Sequence, residues 1–580
     1  MLDRSLVTLF LAAVPLLETP ARAGQEPAPP TLEAAQADLR AGDLAGAAAI
    51  LRELTAREPE NGRAWYLLGY ALHGSGDLEA AIAAHERAAR FPKFRAGADY
   101  NLACAHALRN ESDLAFAALD EALAAGFANP QALAGDADLA SLRSDPRFAA
   151  VQQRSARATF VEDFPIHYEI VGEAAGDRFG WIGRDAGDCD GDGVSELLIS
   201  APFKDIGGAA AGRIYVYSGA DGHELYRHDG QPGDYLGIGI DGAGDVNGDG
   251  VADQIAGSHR AQGTGGAFVY SGVDGKTLLE LWGEAPGDAF GRKLAGCGDM
   301  DGDGHDDVIV GASGSDAAGI DAGRAYVFSG NTGEPLITLD GEAPGDAFGS
   351  TVDGYARGEE RLLVVGAQNA GEGQRGRVYV YRVEEGQPQL AFTIDSQPGD
   401  VNLGRMFVSV IGDVNGDGVQ DVYGSDWESN ANGIPGAGRI YIHSGADGSR
   451  LYELAGTHPG EGFGIGTCEA GDVDADGRDD FLVGIWQSAV GAPRGGRCEL
   501  YSGKTGAILQ TYTCSTAGDT FGYDTTTVGD VNGDGLQDFL ITSAESLVAG
   551  PQSGRIFVVS APDLRPDRAA AAAADAAAQR

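Results

Sequence analysis

Six times between Asp188 and Asp538 the chain writes Asp-x-(Asp/Asn)-x-Asp-Gly-x-x-(Asp/Glu), starting at Asp188, Asp245, Asp299, Asp413, Asp472 and Asp530. Hard divalent cations take oxygen ligands, and alternating carboxylates along a short loop supply them compactly. In the first copy the donors are the carboxylates of Asp188, Asp190, Asp192 and Glu196 and the backbone carbonyl of Val194. The second copy offers Asp245, Asn247, Asp249, Val251 and Asp253, and the third Asp299, Asp301, Asp303, His305 and Asp307. Asp413, Asn415, Asp417, Val419 and Asp421 follow, then Asp472, Asp474, Asp476, Arg478 and Asp480, and last Asp530, Asn532, Asp534, Leu536 and Asp538. A glycine holds the sixth place of every copy (Gly193, Gly250, Gly304, Gly418, Gly477, Gly535), where the chain must turn sharply. The carboxylates of one loop repel one another until a cation sits between them. The pattern therefore predicts Ca2+ as a structural cofactor, about six ions per chain at one per loop.

Asp, Asn and Gly also dominate ordinary turns. Turn chemistry does not require acid at the same four places while the residue after the first Asp varies through Cys189, Val246 and Met300. An EF-hand would need a glutamate at its twelfth position and flanking helices. Here each loop closes at its ninth residue and runs into short apolar segments such as Leu197 to Ser200, Val308 to Gly311 and Phe539 to Thr542, which read as buried strands.

These segments belong to a repeat. About a dozen residues on comes an alternating strand (Arg213 to Tyr217, Arg324 to Phe328, Arg439 to His443), then a Ser-Gly-x-x-Gly turn, another strand and a Gly-Asp-x-Phe-Gly segment. Four short strands per unit point to propeller blades. The gap from Asp299 to Asp413 is twice the spacing from Asp188 to Asp245, so a seventh unit lies in it. That fourth unit places Gly354, Ala356, Gly358 and Leu362 where carboxylates should stand, and no calcium is expected there. His167 to Gly172 reads like the last strand of a blade yet precedes the first unit, whereas the final unit lacks one. Pairing the two would close the ring and remove its exposed edges.

With Phe179-Gly180, Phe290-Gly291, Phe348-Gly349, Phe463-Gly464 and Phe521-Gly522, weakened to Leu236-Gly237 and Leu403-Gly404, and with Ser200-Ala201-Pro202 and Gly311-Ala312-Ser313, the region resembles the FG-GAP repeats of integrin alpha-chain propellers. The resemblance implies an all-β seven-bladed propeller with calcium loops between the first two strands of a blade. It also implies that ligands meet the opposite face, where the connections carrying Trp427 and Trp486 lie. Both Trp are named as a recognition face, since large aromatics anchor interfaces, with packing against neighbouring blades as the alternative reading.

Upstream, Arg4, the apolar stretch Leu6 to Leu17 and Ala21-Arg22-Ala23 follow the grammar of a signal peptide over residues 1–23. No later apolar run approaches a membrane span. Residues 24–158 turn Ala/Leu-rich and resemble tetratricopeptide helix pairs, with Trp65 to Ala71, Gly76-Asp77 and Ala41-Gly42-Asp43 as the carriers. The fold class expected is thus an all-α tetratricopeptide-like array, a propeller over 159–563 and an Ala-rich tail over 564–580.

The chain has 41 basic and 86 acidic residues, a formal charge of −45, which argues against nucleic acid or an anionic membrane as partner. Six cysteines are scattered over both regions, and Cys498 with Cys514, flanking one hairpin, is the pair to test first. No zincin, P-loop or nucleophile-elbow motif is present, so no enzyme is expected. The expected function is calcium-dependent recognition by a secreted, periplasmic or cell-surface protein. Its partner would be a protein or a cell-surface glycan, with peptide docking on the helical repeats as a further site. A carbohydrate-binding lectin and a polysaccharide-cleaving enzyme are the alternative readings.

Overall fold

The computed structural model describes residues 31–91, 94–124, 133, 135–145, 147–148, 151 and 166–564. The leader expected over residues 1–23 and the tail from residue 565 lie outside the described residues. The described residues fall into two compact units, one helical and one built of sheets.

The helical unit holds α1 (Leu32–Ala41), α2 (Leu44–Arg57), α3 (Gly62–Ser75), α4 (Leu78–Ala89), α5 (Arg95–Leu108) and α6 (Ser112–Ala124). A local device ends one helix and starts the next. Gly42 and Gly76 adopt left-handed backbones after α1 and α3, and Asp43 and Asp77 then cap α2 and α4 by accepting the N–H of Gly46 and Ala80. Asn110, at φ 60°, takes the glycine's place after α5, as a short polar side chain permits. Consecutive helices pack through small residues, Ala47, Ala48, Ala64, Ala71, Ala81 and Ala84 with Leu51, Leu68 and Leu72.

The sheet unit is a seven-bladed β-propeller. It has seven four-stranded antiparallel sheets, and the innermost strands of blades 1 to 7 are Gly183–Gly187, Ile240–Gly244, Leu294–Gly298, Phe348–Arg357, Val408–Ile411, Phe463–Gly471 and Thr525–Thr527. Each packs against the next, and the seventh packs back on the first. The second strands of the six blades with acidic loops, such as Glu196–Ala201 and Asp307–Ala312, are buried at every position because a neighbouring blade covers each face, which is why they read as unbroken apolar runs rather than alternating ones. Ile166–Val171 pairs antiparallel with Arg555–Ser560 and supplies the outer strand of blade 7, so one blade is made from both ends of the unit.

The Phe-Gly pairs join blades. The N–H of Phe179, Phe348 and Phe521 donates to Ser553, Ala322 and Gly495 of the preceding blade, while the N–H of Gly180 and Gly522 donates to Ser200 and Thr542 of its own blade, at 2.9–3.1 Å. The ring of each Phe is buried beneath. Glycine follows because the backbone there has positive φ and no room: at Gly349 (φ 82°) a Cβ would stand 2.3 Å from the Arg324 carbonyl. Phe179 bonding to Ser553 is also the seam that closes the ring.

Blade 4 departs from the others more than a loss of acids would suggest. Gly354 and Ala356 lie in its first strand, Leu362 in its second, and pairing runs without a break from Thr351 opposite Gly366 to Arg357 opposite Glu360. The turn is only Gly358-Glu359, with Gly358 at φ 63° where two-residue hairpins place glycine. The loop is replaced by longer strands. All six cysteines are free thiols, Cys498 and Cys514 included. Cys498 stands opposite Tyr512 in the sheet, and the Cys514 thiol faces the Asp519 carboxylate at 3.5 Å, so neither side chain is spent on the other.

Candidate metal centres and the opposite face

All six acidic segments lie between the first and second strands of blades 1, 2, 3, 5, 6 and 7. In blades 1 to 3 a bulge launches the loop: register shifts between Asp185 and Gly187, Gly242 and Gly244, and Gly296 and Gly298. The first Asp then folds the loop onto itself. In blade 1, Asp188 accepts the N–H of Gly191 and Gly193 at 2.8 and 3.0 Å. In blade 3, Asp299 accepts from Gly302, Asp303 and Gly304. The ninth residue begins the second strand and is buried completely in every copy: Glu196, Asp253, Asp307, Asp421, Asp480 and Asp538 are each 0 % exposed.

Those ninth acids are costly to keep charged. Burial, reinforced by neighbouring loop acids, pushes Glu196 and Asp421 up to about 7 and Asp253, Asp307 and Asp480 up to about 6. Backbone N–H groups offset part of this: Val246 and Gly272 donate to Asp253, Met300 and Gly330 to Asp307. Burial also raises Asp538, against the pull of His167 at 3.3 Å.

Three loops draw ligand atoms within 4.8 Å of one another: Asp188, Asp190, Asp192 and Glu196 in blade 1, Asp299, Asp301 and Asp303 in blade 3, and Asp472, Asp474 and Asp480 in blade 6. The loops of blades 2, 5 and 7 carry Asn at their third place, and their carboxylates do not converge to the same degree. Asn415 and Asn532 turn their amide nitrogens toward Asp421 and Asp538. Three loop oxygens are buried without any hydrogen-bond donor: Glu196 Oε1, Asn415 Oδ1 and Asp476 Oδ1. A buried acceptor without a donor carries its full desolvation cost, and a hard cation is the partner that such an all-oxygen set fits.

Sequence reasoning missed two clamps beside these loops. Asp306 Oδ2 accepts the N–H of Asp245 and Asp479 Oδ2 that of Asp413, both at 2.8 Å, so each ties its own loop to that of the preceding blade. The eighth place of the motif was the available signal, since Asp306 and Asp479 precede the ninth acid directly.

On the opposite face an aromatic arc crosses several blades. Trp427 meets Trp486 at 5.7 Å, Trp486 meets Tyr523 at 5.3 Å, Tyr523 meets Trp181 at 5.2 Å, and Trp181 meets Phe203 at 5.3 Å. Trp486 is only 8 % exposed and packs between blades, whereas Trp427 is half-buried. Of the two, only Trp427 presents appreciable surface.

Comparison with known proteins agrees with this geometry. The FG-GAP repeat family matches residues 185–217 and 290–328, and the FG-GAP-like repeat family matches residues 413–483. The propeller contains FG-GAP repeats. The tetratricopeptide repeat family matches residues 32–96 in the helical unit. Among curated proteins, the FG-GAP propeller is similar to Integrin alpha-4 of Xenopus laevis, 29% identical over 260 residues, covering 41% of this chain and 23% of the relative. It is also similar to Integrin alpha-7 of Homo sapiens, 35% identical over 139 residues (22% of this chain, 11% of the relative), and to Integrin alpha-5 of Xenopus laevis, 32% over 206 residues (30% and 19%). The chain thus spans less than a quarter of the length of these relatives. Among the described residues no helix is long and apolar enough to cross a membrane.

Proposed function

We propose that this chain is an exported, calcium-dependent recognition protein whose FG-GAP propeller docks a protein partner and whose tetratricopeptide helices offer a second docking site. The observation that carries the calcium reading is the set of buried loop oxygens without donors, Glu196 Oε1 first among them, beside carboxylates that converge within 4.8 Å. The ion neutralises the loop and locks the first strand to the second, so recognition depends on calcium through the stability of the fold. Similarity to integrin alpha chains supports adhesion-type binding rather than catalysis. The half-buried Trp427 and the arc behind it favour the face opposite the loops as the docking surface.

The experiment is capture of partners from cell-surface extracts on the immobilised full chain, in calcium and in chelator, beside a glycan array. Partners retained in calcium, released by chelator and lost in Trp427→Ala are expected. Glycan binding without a protein partner would transfer the reading to a lectin, and capture indifferent to calcium would overturn it.

A further inference from the structure

The innermost strands enclose an axial cavity of about 310 Å3, within the range of small-molecule sites. Strand register fixes its layers. Arg184, Asp241, Ala295 and Asp353 stand at one level, opposite Leu198, Ile255, Ile309 and Val364 of their second strands. Lys293 precedes Leu294, and so lies two residues above the level of Ala295 on blade 3.

Most of the charge in the cavity is internally matched. Arg184 pairs with Asp524 at 2.7 Å and with Asp241 at 3.5 Å. Three groups are left over, one of them Glu469 of blade 6, which lines the cavity and has no cation within ion-pair distance among the described residues. Lys293 has no carboxylate within ion-pair distance among the described residues, and its ammonium rests 4.5 Å from the centre of the Phe407 ring. Asp353 has no cation within that distance; its oxygens accept from Ser409, Val410 and Gly354. Both line the cavity, on adjacent blades. Two residues of strand separate their backbone levels, about 6–7 Å along the axis, and no ion pair joins the two side chains. Burial pulls Lys293 down to about 7 and pushes Asp353 up, as expected of charges whose counter-ions are missing.

The walls add weakly partnered polar groups. The hydroxyls of Tyr423, Thr467 and Thr525 are buried among the cavity-lining residues and make no close hydrogen bond, Tyr423 facing Thr467 and Thr525 facing Cys468. Such atoms mark a place where a polar guest would recover lost hydrogen bonds.

We propose that the axial cavity binds a small zwitterion of dipeptide size, its carboxylate at Lys293, its ammonium at Asp353 and its amide against the Tyr423, Thr467 and Thr525 hydroxyls. Two residues of extended chain span about 7 Å, which matches the separation of the two levels. Ala295, small and directly below Lys293 on blade 3, leaves the space between Asp241 and Asp353 open. No carboxylate of the acidic loops lines this cavity, nor does Trp427 or Trp486.

The test is isothermal titration of the calcium-loaded full chain with glycylglycine, N-acetyl-glycylglycine and glycylglycine amide, the last two lacking the ammonium and the carboxylate respectively. Glycylglycine should bind and each blocked form should bind at least tenfold more weakly. Lys293→Met should remove discrimination against the amide, and Asp353→Asn discrimination against the acetylated form, with thermal melting confirming that each variant folds. If glycylglycine gives no heat at millimolar concentration, or if both blocked forms bind as well as the parent, the proposal is wrong. The ligand arms use the unaltered protein, so they decide the matter even if a variant fails to fold.

Discussion

Blades 3 and 4 are neighbours built on the same plan, and they differ most where the acidic loop should be. Blade 3 bulges at Gly296 to Gly298, throws out Asp299 to Asp306 and buries Asp307; blade 4 runs its strands straight into the Gly358-Glu359 turn. Both keep the Phe-Gly joint and a third strand opening with Arg, Arg324 paired to Asp340 and Arg377 to Asp395. Blade packing therefore does not need the loop. Where blade 3 places Asp306 to hold the Asp245 N–H of blade 2, blade 4 places Arg361, whose Nε donates to the Asp299 carbonyl at 3.2 Å. The clamp between blades survives with its polarity reversed. What blade 3 has beyond blade 4 is a set of clustered acids, one of them wholly buried, and that is a cost unless a cation is bound.

The largest expected effect comes from removing the cation from all six loops at once. An ion that binds only the folded loop contributes about 2.7 kcal/mol when present at a hundred times its Kd. Chelator should lower the melting temperature of the propeller sharply and leave that of the helical unit nearly unchanged, as differential scanning calorimetry of the full chain would show. Next in size, Phe290→Ala and Phe348→Ala should each cost about 3–5 kcal/mol, since both rings are buried at a blade joint. The two losses should match in denaturant melts with and without calcium, because the joint is common to the blade with a loop and the blade without. Unequal losses would mean that the loop supports the joint.

A smaller and conditional effect is expected from Asp301→Ala combined with Asp303→Ala. It should remove about 2.7 kcal/mol in hundredfold calcium and much less in chelator, where the two carboxylates keep only the hydrogen bonds they accept from Asp303 N–H, His305 N–H and Asn331. In chelator the ninth acids also set a pH trend. Their folded pKa values lie above the unfolded ones, from 4.5 to about 7 for Glu196 and from 3.8 to about 6 for Asp307. The neutral form is thus favoured in the fold, and propeller stability should fall as pH rises from about 4 through 7. Calcium should reverse the slope, since it binds the deprotonated acids; melting curves across that range would check both signs. The smallest effect belongs to Glu359→Ala in the exposed blade 4 turn, within about 0.5 kcal/mol under either condition.

Much of this was legible in the sequence for physical reasons. Asp and Gly at fixed places in a loop, Gly after each Phe, and the Gly-Asp pairs between helices are local requirements, so they leave local marks. The outer strand of blade 7 was legible because an unpaired strand at each end of a ring has one obvious partner. The hairpin of blade 4 was not, because aligning Gly366 with Gly311 preserves the spacing and conceals that its residues pair as strand instead of looping out. Nor could the sequence choose between exposure and packing for Trp486: whether a ring faces solvent or Tyr523 depends on a blade some forty residues away in sequence. The cavity charges escaped notice for the same reason. Arg184, Lys293, Asp353 and Asp524 come from four blades and share no motif; only strand register brings them to one axis.

The most direct measurement is calcium per chain, by atomic emission on protein equilibrated with saturating calcium and freed of excess ion. One ion for each of the six acidic loops is expected, with blade 4 vacant, and one fewer in the Asp301→Ala, Asp303→Ala variant. Seven ions would mean that blade 4 binds calcium without an acidic loop. Fewer than four, or no loss in the variant, would mean that the loops are turns and that their buried acids are held by something other than a cation.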